Sequence, residues 1–120
     1  MIKNNHIEEA RKSLGFLRRG TKAYDISLRC LREELKNGSL SLADIGTNEK
    51  ELEGLRIEGC KLVAKAWLDR LHELRGSTEF YTYGRQLLEY LRQEVKKGSF
   101  PLADIGTSEE ELLNFDLAIA

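Results

Sequence analysis

Apolar positions along this chain recur every three or four residues, and short glycine-bearing polar segments interrupt the rhythm. Ile7, Ala10, Leu14 and Leu17 mark one face of an opening helix over about 5–19. Tyr24, Leu28, Leu31 and Leu35 mark the next over about 21–37, with Thr21 as its expected cap and Gly38 as its stop. Leu52, Leu55, Gly59, Val63, Trp67, Leu71 and Leu74 keep the period from Asn48 to Arg75, enough for one helix of up to about 28 residues, and Gly54 and Gly59 leave open both a continuous helix and one kinked or broken between 54 and 60. A fourth helix follows over about 78–97, capped by Ser77 or Thr78, with Phe80, Gly84, Leu87, Leu88, Leu91 and Val95 on its stripe and Gly98 as its left-handed stop. The last begins near Ser108 and carries Leu112, Leu113, Phe115, Leu117 and Ile119. No β-hairpin pattern intervenes.

Two of these helices are introduced by the same words. Leu42-Ala43-Asp44-Ile45-Gly46-Thr47 recurs as Leu102-Ala103-Asp104-Ile105-Gly106-Thr107, an offset of 60 in a chain of 120. Without a gap, residues 31–60 and 91–120 share 15 identities over 30 positions, whereas 1–27 and 61–87 share little. An identical six-residue string inside such an alignment points to duplication. Each string reads as one helical turn closed by glycine. Each is followed by a capping box, Asn48 with Glu51 and Ser108 with Glu111.

The expected fold is therefore all-α: a single domain over 1–120, built as a helical bundle from two tandem helix–helix–turn–helix repeats, 1–60 and 61–120, related by a pseudo-two-fold. A 41% apolar content and one proline suit packed helices. No signal-peptide core follows Met1, and no apolar run approaches the ~20 residues that span a bilayer, so the expected location is cytoplasmic, without membrane attachment. Cys30 and Cys60 read as reduced thiols packed as small apolar groups.

Charge alters the picture. The net value is −1, yet residues 1–40 carry nine basic and five acidic groups, 41–60 two and five, 61–100 eight and five, and 101–120 none and five. Each half runs from a basic front to an acidic back. The basic front of the first includes Arg11, Lys12, Arg18, Arg19, Lys22, Arg29 and Arg32. Such segregation suits an acidic partner or complementary ends in a homo-oligomer.

Motifs for chemistry fail on inspection. A calcium loop with Gly38 at its sixth position would place Leu35 and Val95 at ligand positions. A DNA-reading helix–turn–helix would open its second helix with Glu49, Glu51 and Glu53, which phosphates repel. His6 and His72 are isolated, and Asp44 and Asp104 read as acceptors for turn amides. No catalytic, cofactor-binding or metal-ligating residue is assigned, and no cofactor is implied. The segment Phe80-Tyr81-Thr82-Tyr83-Gly84-Arg85 cannot bury all its rings on one helix face. Tyr81, Tyr83 and Arg85, with Arg18, Arg19 and Lys22, are the candidate partner contacts. Asp44, Gly46, Thr47, Asp104, Gly106 and Thr107 are the structural corner of each repeat. The expected function is a non-enzymatic protein–protein interaction or regulatory adaptor module that also self-associates. The alternative is a small nucleic-acid-binding regulator using its basic helix faces.

Overall fold

The computed structural model describes residues 2–119. Within them lie five helices and no strand: α1 (Ile2–Arg19), α2 (Tyr24–Asn37), α3 (Glu49–Leu74), α4 (Thr78–Gly98) and α5 (Glu109–Ile119). Single 3-10 turns at Leu42–Ile45 and Leu102–Ile105 precede α3 and α5. The chain forms two compact units, Met1–Gly59 and Cys60–Ala120.

In the first unit α1 packs on α2 and touches the 3-10 turn. Ala10, Leu14 and Leu17 from α1 bury against a core that includes Tyr24, Leu31, Leu35, Ile45 and Leu52. Gly20 (φ 85°) ends α1, its N–H donating to the Leu17 carbonyl at 3.1 Å. Thr21 does not cap α2. Its hydroxyl accepts from Ala23 N–H at 3.0 Å, a turn ahead of the helix, which starts at Tyr24 with Ala23 as a cap that forms no side-chain bond.

In the second unit α4 packs on α5. The later part of α3 contributes Cys60, Ala64, Leu68, Leu71 and Leu74, and Phe80, Leu88, Leu91, Leu112 and Phe115 complete the centre. Phe80 and Phe115 meet at 6.0 Å between centroids. The buried stripe of α3 keeps Leu52, Gly59, Leu71 and Leu74 of the expected one, but in its middle Ala64 and Leu68 are buried while Val63 and Trp67 lie at its margin. Helix α3 is unbroken through Gly54 and Gly59 over 26 residues, about 39 Å at the usual rise.

Gly38 and Gly98, which close α2 and α4, serve packing more than backbone freedom. Gly38 has φ −89° and Gly98 is the last residue of α4. The left-handed positions fall one residue later, at Ser39 (φ 53°) and Ser99 (φ 51°). The closing bonds Leu40 N–H to Leu35 carbonyl (2.8 Å) and Phe100 N–H to Val95 carbonyl (3.4 Å) form around them. A Cβ on Gly38 would stand 2.7 Å from His6 Cβ, and one on Gly98 2.6 Å from the Phe100 ring.

Two further glycines admit a large neighbour. A Cβ on Gly59 would overlap the Tyr24 side chain, 2.6 Å from Cδ1, and one on Gly84 would stand 2.8 Å from Ile119 Cδ1. Gly54 is exposed with nothing within 4 Å. Gly59→Ala should therefore destabilise the protein by about 1–3 kcal/mol through overpacking. Gly54→Ala should stabilise it by about 0.5–1 kcal/mol through helix propensity. Denaturant midpoints of the two variants moving in the same direction would contradict this account.

Candidate interaction surface

The corner preceding α3 is assembled from backbone outward. Ser41 N–H donates to Asp44 Oδ2 at 2.8 Å, and Asp44 N–H to Ser41 Oγ at 3.3 Å, bracketing the 3-10 turn. Gly46 (φ 81°) then reverses the chain. Asn48 Oδ1 accepts from Glu51 N–H at 2.8 Å, and the buried Thr47 hydroxyl donates to the Glu51 carboxylate. The expected return bond from Glu51 to the cap amide is thus replaced by one to Thr47. The second corner repeats this logic: Glu111 N–H donates to Ser108 Oγ at 3.2 Å, and Thr107 Oγ1 to Glu111 Oε1 at 2.6 Å. Pro101 has no N–H to offer Asp104, whose carboxylate instead meets Lys61 Nζ at 3.2 Å.

Basic and acidic ends are joined inside each unit. Arg18 donates to Glu51 (2.8 Å) and to the Gly46 carbonyl (3.0 Å), and Arg32 to Glu49 (3.0 Å). His6 pairs with Glu34. In the second unit Arg92 makes a two-pronged contact with Asp116 at 2.8 and 3.4 Å, and His72 lies 3.6 Å from Glu111. The Arg32 hydrogen bond, then its charge, holds the Glu49 carboxyl below its ordinary value. Arg18 and then Thr47 do so for Glu51, and Arg56 for Glu53. Asp116 raises Arg92 further above its already high value, against the cost of desolvation.

The predicted contact residues fall in two places. Arg18, Arg19 and Lys22 belong to the first unit. Arg18 is engaged in the corner, Arg19 lies over the Phe16 ring at 5.0 Å, and Lys22 is exposed. Tyr81, Tyr83 and Arg85 belong to α4, where Tyr81 and Tyr83 are 64% and 52% exposed. At 100° per residue the two tyrosines occupy opposite flanks of the buried stripe. On one flank Tyr83 lies near Tyr90, which accepts from Gln86 Nε2 at 2.7 Å and meets the Trp67 ring at 5.3 Å. On the other, Tyr81 stands edge-on to Phe80, one turn before the start of a cavity of about 360 Å³. Arg85, Glu89, Arg92, Gln93 and Lys96 of α4 and Asp116 of α5 line it. Arg92 and Asp116 close its middle, while Arg85 and Lys96 form no ion pair among the described residues. The spacing 85, 89, 92, 96 was a readable helical signal, hidden when charge is summed by segment instead of by face.

Cys60 is buried as expected, but Cys30 is exposed, since it sits on the outer side of α2. Among the described residues no cluster of His, Cys, Asp and Glu is arranged to hold a metal ion, and no helix is long and apolar enough to cross a membrane. Compared with protein-family models, curated proteins and solved structures, the chain matches none.

The paired carboxylates set a pH dependence. Their folded pKa values lie below the unfolded value of about 4.5, so their contribution is complete above that value and is lost as pH falls through the lower folded ones. The denaturant midpoint should drop on acidification from about pH 6 to about pH 3. Glu49→Gln and Glu51→Gln should each flatten that drop, and an unchanged profile in the double variant would contradict the assignment.

Proposed function

We propose that the chain is a duplicated, non-enzymatic helical module that recognises another protein through the outer face of α4. The duplication is supported by a like contact at positions sixty apart, since Thr47 bonds Glu51 as Thr107 bonds Glu111. Arg32 and Arg92 also each grip a carboxylate of the helix that follows the turn, at the non-equivalent positions Glu49 and Asp116. The observation that carries the recognition reading is Tyr81, largely exposed, beside Arg85 at the rim of the α4 cavity. Tyrosine and arginine are both enriched among the residues that anchor protein interfaces. The competing nucleic-acid reading is weakened because Arg18, Arg32 and Arg92 are bonded to carboxylates of their own unit.

Affinity capture from the native host should return a partner whose retention survives nuclease. Tyr81→Ala with Arg85→Ala should reduce that retention at least about fivefold, while helical circular dichroism stays unchanged. Equal retention by the double variant would remove α4 as the contact face. Retention that nuclease abolishes would favour the nucleic-acid reading.

A further inference from the structure

The outer face of α1 and the outer face of α5 are complementary, and neither is covered. From Ala10 to Tyr24 the sequence has five basic residues and no acidic one. On α1, Arg11, Lys12, Phe16 and Arg19 are exposed, and Phe16 is 52% accessible with the Arg19 guanidinium 5.0 Å above its ring. Gly15 lies among them, one turn from both Arg11 and Arg19, and a Cβ there would meet nothing within 4 Å. The result is a saddle of three cations with bare helix backbone at its centre and an aromatic wall, bordered at its N-terminal edge by the exposed Glu8 and Glu9 one turn before Arg11 and Lys12. Lys12 has only a 3.5 Å exposed contact with Glu9.

Helix α5 has the opposite character. Leu113 and Leu117, one turn apart, are 55% and 74% exposed. Glu109 and Glu110 lie on the same side one turn earlier, and both are exposed. No basic residue occurs anywhere in 101–120. The pair leaves an apolar strip on the same side of α5 as the two carboxylates.

We propose that α5 of one molecule docks on the α1 saddle of a second copy, Leu113 and Leu117 against Gly15 and Phe16, with Glu109 and Glu110 facing Arg11, Lys12 and Arg19. The two faces differ, so every contact uses one α1 and one α5, and each copy carries one of each. Opposite charge steers the encounter and salt opposes it. Tyr81 and Arg85 take no part, so this contact stands or falls apart from the α4 reading.

The test uses the full chain in light scattering and sedimentation at low ionic strength, up to about 1 mM, where even weak contacts populate. The mean mass should rise with concentration above 13.7 kDa and fall when salt is added. Arg11→Glu with Arg19→Glu, and separately Leu113→Ser with Leu117→Ser, should each weaken assembly at least about fivefold. All four positions are exposed, and unchanged thermal unfolding of dilute protein checks that each fold is retained. Mixing the two variants one to one should yield a dimer that grows no further, since only one intact α5 and one intact α1 remain per pair. A strict monomer at the highest concentration, a closed dimer insensitive to these substitutions, or a monomeric mixture would each overturn the proposal.

Discussion

The corner between the 3-10 turn and the following helix constrains everything downstream of it. A left-handed glycine turns the chain, and a threonine hydroxyl then bonds a glutamate one turn into the new helix. The bond fixes the helix start relative to the turn. That start sets the register in which α3 and α5 present Leu52 and Leu112 to the core. The Glu51 carboxylate that accepts from Thr47 also receives Arg18 from α1, so the corner ties the first helix to the third. Ile45 and Ile105, buried within the turns, anchor the arrangement in each core.

Most of the helical plan was legible because it depends on local chemistry. Apolar period, cap residues and glycine closed off α1 through α5 to within a few residues. What escaped detection depends on three-dimensional approach. Gly38 and Gly98 were legible as stops, but their reason is a neighbour at contact distance, and the left-handed residues are serines that no propensity rule favours. Trp67 had a place on the periodic stripe that Leu68 takes in the structure, although the stripe resumes as expected at Leu71 and Leu74. The large aromatic is left at the margin with Tyr90.

Charge shows the same divide at the candidate site. Summed by segment, each half has a basic front and an acidic back, and the natural expectation is an external partner for both. Arg18, Arg32, Lys61 and Arg92 instead meet Glu51, Glu49, Asp104 and Asp116 inside their own units. Exposed pairs of this kind add little stability individually. Their larger effect is subtraction, because they leave a much smaller set of cations, Arg85 and Lys96 among them, to define the outward character of the protein. Tyr81 and Tyr83 were rightly read as too many rings for one narrow face, but only helix geometry separates them onto different flanks.

The glycine–bulk pairs have a consequence for how a chain with two similar halves finds its fold. Tyr24 and Gly84 lie sixty positions apart, as do Gly59 and Ile119, yet the large and small partners are interchanged. Within each half a knob meets its hole. If α2 were to seek the end of the chain, Tyr24 would collide with Ile119; if α4 were to seek the start of α3, Gly84 would face Gly59 across a void. Look-alike segments are prone to trade places during folding, and this exchange of lock and key makes the wrong trade too crowded on one side and too empty on the other.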